Sequence, residues 1–383
     1  MLFFFGKVAS MSKVKIKTVE SKSDLMKFIK FPWEIYNGDS NWVPPLIADR
    51  KKILSKTKNP FFKHAEAEYF LAEKNGKLVG RIAAIKNDLH NEIHKDKVGF
   101  FGFFEAVNDQ EVANALFDKS KEWIKSKDLD IMRGPANPSF NDEVGMLLEG
   151  FDDAPRLLMT YNPKYYLDLC DGYGFKKSKD LFAYKIESQK MRSSDKIQRV
   201  SDLVRKRYNL KIRQLNMKDF DNELEKVKYV YNKAWEPNWG FVPLTDEEID
   251  AMAKDLKPLV EPSLVLFGEI EDKLIGFALC MLDYNRIIKE MNGKLFPFGI
   301  IKLFTQKKKI DWARIIILGV VPEFQKKGFD AVFYWEILER AKKIGIHLGE
   351  ASWILEDNDM MNRGAEAMNG TIYKKYRIYD YKI

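Results

Sequence analysis

Apolar residues fall in two rhythms along this chain. ARIIILGVV (313–321) is an apolar run of strand length broken only by Arg314, the mark of a strand covered on both faces. The following stretch turns helical in period. It predicts a helix over 330–344, with Asp330 at its start and Gly345 ending it. GEASWIL (349–355) reads as the next strand. EKNGKLVG and EDKLIG sit between alternating segments and predict hairpins, because Asn or Asp and Gly suit tight turns. In SSDKIQRVSDLVRKRYN, Ser194 and Asp195 offer an N-cap, and Ile197, Val200, Val204 and Tyr208 recur at helical spacing.

The patterns occur twice. VKIKTV (14–19) matches LKIRQL (210–215), and YNGDSNWVPPL (36–46) matches YNKAWEPNWGFVPL (231–244). EYFLAEKNGKLVGRIAAI (68–85) matches SLVLFGEIEDKLIGFALCM (263–281). KVGFFGFFEA (97–106) falls where WARIIILGVV (312–321) falls, and 162–186 parallels 358–383. The order is the same in both halves, which argues for a tandem duplication of one α/β fold with a mixed sheet. The copies span about 12–187 and 211–383, joined by a helical linker over 188–210. Residues 1–11 read as an N-terminal extension, with Met11 a second candidate start.

Between the apolar run and its helix stands VVPEFQKKGFD (320–330). A strand-to-helix turn leaves backbone N–H groups without partners, and the helix dipole makes that corner attractive to phosphate. Gly328 permits a positive φ and a close approach, and Lys326 and Lys327 add charge. A solvated turn with two surface lysines has the same residues.

The 383 residues carry a formal charge of +8, which suits an anionic partner. Basic and acidic residues interleave, which argues against a nucleic-acid stripe. Cys170 and Cys280, one per copy, give no disulfide framework. No apolar run reaches the length of a membrane span, and the start is too short for a signal peptide. The expected location is the cytoplasm, with the inner face of a membrane as a peripheral variant.

Gln325-Lys326-Lys327-Gly328-Phe329-Asp330 after a strand and before a helix resembles the signature of the GNAT superfamily of acyl-CoA N-acyltransferases, Gln/Arg-x-x-Gly-x-Gly/Ala. Asp330 replaces the last small residue, and its side chain is expected to turn away and cap the helix. EDNDMMNRGAEAMNG resembles the second cofactor segment, with Asn358 at the usual asparagine. NWVPPL, KNPFFKHAEAEYFLAEKNGKLVGRIAAI, NWGFVPLT and ASWILEDN resemble a narrower group of long duplicated bacterial GNAT proteins that includes the bacterial ceramide synthase type. That resemblance covers nearly all of 12–383 and implies transfer of a long acyl chain, from acyl-CoA or an acyl-carrier-protein thioester, to an amine such as a sphingoid base.

It also implies site roles. Backbone groups of Leu318, Gly319 and Val320 would meet the pantetheine amides, and the N–H groups of Gln325 through Asp330 the pyrophosphate. The ammonium must lose a proton, so a base is needed near the splayed strands. Glu350 is the first candidate, with a water-facing strand charge as its plain reading; Asp283, Glu236 and a water chain are alternatives. Many GNAT enzymes protonate the thiolate with a tyrosine seven residues after the asparagine. Ala365 stands there, leaving Tyr373 or Tyr376 as substitutes, each with packing in the final hairpin as its plain reading, or release of the thiolate to solvent. Trp235, Asn238, Trp239 and Phe241 would form an acceptor wall, with Asp283 beside it.

The insertion at 286–309 mixes apolar residues with Lys307-Lys308-Lys309. It is expected to be a lid over its own domain or an interfacial lipid contact. In the first copy, Glu105, Asp109 and Glu111 fall where the second has its lysines and glycine, so that copy is expected not to bind CoA. His90 and His94 have a metal-compatible i, i+4 spacing but no completing ligand, so no metal is expected. Alternatives to catalysis by acyl-CoA are a non-catalytic acyl-CoA-binding or regulatory protein, and a tRNA-dependent transferase, against which the Gly328 turn argues.

Overall fold

The computed structural model describes residues 13–192, 195–234 and 239–383. The extension, Ser194, Trp235, Glu236 and Asn238 lie outside them, as does the Asp195 side chain.

The first copy holds β1 (Lys15–Thr18), β2 (Ala65–Lys74), β3 (Lys77–Asn87), β4 (Val98–Ala106), β5 (Ile131–Gly134), β6 (Ala136–Asn137), β7 (Glu143–Val144), β8 (Met146–Glu149) and β9 (Lys176–Glu187). The second holds β10 (Lys211–Gln214), β11 (Val265–Ile270), β12 (Lys273–Leu282), β13 (Trp312–Val320), β14 (Leu348–Leu355) and β15 (Thr371–Lys382). β6–β8 have no counterpart in the sequence reading. Asn75 and Gly76 both take positive φ, which lets a two-residue turn join β2 to β3.

Among the described residues, thirteen strands form one sheet in the order β1-β2-β3-β4-β5-β15-β9-β14-β13-β12-β11-β10, with β8 also beside β15. The order mirrors about its centre. The last strand of each copy has crossed over: β9 pairs with β14, and β15 with β5. The two copies therefore share one sheet rather than closing two separate ones.

Among the described residues each copy has one parallel pair. β4 runs with β5 from Val98↔Ile131 to Phe100↔Arg133. β13 runs with β14 from Trp312↔Leu348 to Ile315↔Ala351. Beyond Ala351 the second pair parts: β13 continues along β12 to Val320, while β14 rejoins β9 at Ile354↔Phe182. A wedge opens between them. The burial pattern records it, for Ile315, Ile316 and Ile317 are only half-buried although all three are apolar.

The helix 329–343 lies against the sheet, with Phe329, Val332, Phe333, Ile337 and Leu338 buried. The linker contains a helix at Asp195–Tyr208, and it buries Ile197 and Val204 in the same core. Arg205 fixes it to Glu336 at 2.6 Å.

Candidate functional site

The wedge opens into a cavity of about 1320 Å³ that both copies line. Ile316, Leu318 and Val320 form one wall, and Ser352, Trp353 and Asn358 another. Tyr36, Trp42 and Arg50 of the first copy close the far side.

The turn at 325–330 borders the cavity, which Gln325, Lys326, Phe329 and Asp330 line. Gly328 has φ +84°, a conformation that disfavours a side chain. A Cβ there would sit 3.2 Å from Val200 and Val204 of the linker helix, so that helix backs the turn on one side. Lys326 and Lys327 are exposed. Gln325 N–H is used within the turn, donating to Pro322 O at 3.2 Å. Among the described residues no acceptor is paired with the N–H of Lys326, Lys327 or Gly328. The Gln325 side chain donates to Val320 O at 2.9 Å and pins the strand end to the turn.

Two expectations about this corner change. Gly328, not Asp330, occupies the cap position, and no side chain caps the helix. Asp330 is the second helical residue and lines the cavity. Burial raises its pKa, while the N–H groups of Ala331 and Asp330 oppose the rise. Gly319 also differs from its neighbours. Its carbonyl faces β12, where a Cβ on Gly276 would meet it at 2.6 Å. Alternation along the strand then turns the polar groups of Leu318 and Val320 to the wedge. Phe329 is buried against Phe324 and Tyr208. Asn358 begins helix 359–367, its side chain accepting from Met361 N–H at 3.2 Å.

Glu350 is fully buried and does not face water. Its carboxylate accepts the hydroxyls of Tyr373 and of Ser352, the latter at 2.5 Å. Arg314 Nε lies 3.5 Å away and also donates to Ser352 Oγ at 2.9 Å. Arg314 also donates from Nη1 to Leu157 O and from Nη2 to Ser352 O. Burial lowers the guanidinium's pKa, with the Glu350 charge opposing. Tyr373 is pushed up by burial and then by Glu350. Neither Glu350 nor Tyr373 lines the cavity. Ser352 and Arg314 do, and stand between the carboxylate and the wedge. Strand alternation places Glu350 and Ser352 on one face, so that pairing was legible in GEASWIL. Arg314 was not, since a lone arginine in an apolar run carries no sign of its partner.

Asp283 is not at the cavity. It accepts from Leu157 N–H at 2.9 Å and Asn285 N–H at 3.2 Å, with Arg156 at 3.6 Å, and so joins the copies. Burial raises it to about 6. Trp239 and Phe241 line the cavity, and Trp239 packs 5.7 Å from Phe140 of the first copy. Two buried groups escaped the sequence reading. Tyr334 lines the cavity beside helix 359–367, its hydroxyl 3.7 Å from Met361 Sδ. Lys374 is lowered to about 8 by burial and donates to Gly150 O and Asp153 O at 2.9 and 2.5 Å.

In the first copy, Asp109 caps helix 110–125 with its own carboxylate, and Lys74 bridges Asp109 and Glu111. Glu105 is not at that turn. It lies inside β4, bound to Arg81, Tyr36 and Tyr166. His90 is buried, which lowers it to about 3, and His94 bonds Phe241 O at 2.9 Å. Among the described residues no helix is long and apolar enough to cross a membrane.

No family model matches the chain. It is 34% identical over 385 residues to the bacterial ceramide synthase of Caulobacter vibrioides (strain NA1000 / CB15N), covering 97% of both chains. It is 34% identical over 374 residues to Protein YghO of Escherichia coli (strain K12), covering 96% of this chain and 95% of that one. Its fold is similar to a tandem GNAT protein from the clavulanic acid biosynthesis pathway, with a TM-score of 0.56 at 9% identity and coverage of 97% and 98%. A probable N-acyltransferase from Enterococcus faecalis V583 gives 0.52 at 9% identity, covering 97% of this chain and 73% of that one.

Proposed function

Since the chain belongs to the GNAT-fold N-acyltransferase family that includes the bacterial ceramide synthase, we propose that it transfers a long acyl group from acyl-CoA to the amine of a lipid-like acceptor such as a sphingoid base. The observation that carries this reading is the wedge: strands β13 and β14 part beside an open turn with unpaired N–H groups, over a cavity of about 1320 Å³.

In this reading the pyrophosphate meets the turn and the pantetheine runs along the polar edge of Leu318 and the N–H of Val320, whose carbonyl is already taken by Gln325. The first copy, whose turn carries its own acids, holds no CoA and walls the acceptor side. Ser352 does the proton work at the cavity surface. Its Oγ donates to Glu350 and accepts from Arg314, which leaves one lone pair for an amine N–H. The amine nitrogen bonds to the thioester carbonyl carbon and the C–S bond breaks. The amine proton passes to Ser352 as the serine proton moves to Glu350. Tyr373 holds Glu350 in place. The hydroxyl available to donate to the departing thiolate is that of Tyr334.

Free thiol released from palmitoyl-CoA on adding sphinganine, with the N-acyl product seen by mass spectrometry, is the expected result. CoA binding without thiol release across a panel of long-chain amines would instead identify a carrier.

Asp330 gives this donor reading a pH signature. A pyrophosphate beside the carboxyl raises its pKa further, so the complex holds a proton that the free protein releases. CoA affinity should be highest on the acid side and fall as pH rises between those two values. Asp330→Asn should bind more tightly at high pH and lose that part of the slope. The ligand's own phosphate titration is common to both proteins, so calorimetry of the pair isolates Asp330.

A further inference from the structure

Four large apolar side chains stand in water on one stretch of the insertion. Phe296, Phe298, Ile301 and Phe304 are 74%, 72%, 58% and 64% exposed. Contiguous wet apolar surface of this kind marks a docking face. The same stretch has an inner side. Gly299 is buried against Met291, where a Cβ would stand 3.0 Å from its sulfur. Leu295 and Leu303 line the cavity, together with Ile288 of helix 285–291. A single helical layer, helix 298–305 and its lead-in, thus separates the cavity from the exposed patch.

The charge around the patch is basic. Lys294, Lys308 and Lys309 are exposed. Lys302 and Lys307 are held by Glu290 and Glu261, at 3.3 and 2.8 Å. Aromatic and aliphatic side chains rimmed by lysines match the boundary between acyl chains and anionic headgroups.

The geometry points to an anionic lipid bilayer as the occupant of this face, with helix 298–305 lying in the interface and the cavity opening beneath it. A long-chain substrate then leaves the bilayer past Leu295 and Leu303 without crossing water. The charge selects a lipid surface over a second copy of this chain, whose own patch would bring lysines against lysines. The cargo rests on the acyl-transfer reading, whereas the docking does not.

The test is flotation of the full chain with vesicles of phosphatidylcholine, alone or with phosphatidylglycerol. Binding is expected to favour the anionic vesicles. The triple variant Phe296→Ser, Phe298→Ser, Phe304→Ser should lower partitioning on the order of 100-fold. A separate Lys308→Glu, Lys309→Glu variant should remove the anionic preference. All three side chains of the first variant point outward, and thermal melting checks that both variants fold. Flotation of neither kind, or flotation that neither variant changes, overturns the proposal. So does a dimer in sedimentation that the triple variant dissolves, since the occupant is then a second copy. An active enzyme that ignores vesicles sinks this inference alone. A protein that floats but acylates no amine keeps the docking and loses the function.

Discussion

Glu350→Gln should slow acyl transfer by about 100- to 10,000-fold, the range that a positioned proton acceptor contributes. It should also destabilise the protein. Arg314 is 2% exposed, and Glu350 is the carboxylate beside it. Removing one partner of a buried pair costs about 3–5 kcal/mol, because the other charge stays buried without compensation. Two comparisons separate chemistry from folding. Ser352→Ala interrupts the path from the cavity to the carboxylate but leaves Arg314 beside Glu350, so it should lose activity with a smaller loss of stability. Tyr373→Phe removes only a hydrogen bond to the carboxylate, so its effect should be the mildest of the three. If Glu350→Gln melts early yet keeps its turnover at a temperature where it is folded, Glu350 is a structural counter-ion and the relay is wrong.

Gly328→Ala should weaken CoA binding at least tenfold. The alanine must adopt φ near +84°, which costs about 1–2 kcal/mol for a residue with a Cβ. Its Cβ must also fit 3.2 Å from Val200 and Val204. The turn relieves both by rotating, and rotation swings its N–H groups away from the pyrophosphate that the proposed donor site would hold. Calorimetry against CoA, with melting as the control for folding, reads both parts. Because the linker helix presses on this glycine, Val200→Ala together with Gly328→Ala should recover part of the loss. No recovery would assign the whole effect to the backbone.

The chain's repeat and periods made much of this architecture legible. The apolar run at 313–321, the helix that follows it and GEASWIL stand where their patterns put them, because each pattern is local in sequence. Asp330 was misjudged because a good cap residue near a helix start looks like the cap, whereas the left-handed Gly328 already supplies the entry to the helix. Asp283 looked like a site residue because it ends a strand near the wedge. Only the fold shows that Leu157, 126 residues away in sequence, donates to its side chain. The wedge left a weak trace in the sequence, since an apolar strand gives no warning that three of its isoleucines line a cavity.

The crossing of β9 and β15 also bears on how this protein can change over time. A repeated unit whose matching helix start is capped by its own Asp109 would, under the proposed function, ordinarily be free to decay or be lost. Here it supplies the neighbour on which β14 leans, and takes its own neighbour from the other copy. Deleting it would leave β14 with a bare edge, ready to recruit any passing strand. The duplication is in this sense a ratchet: once the ends had been traded, neither repeat could be discarded.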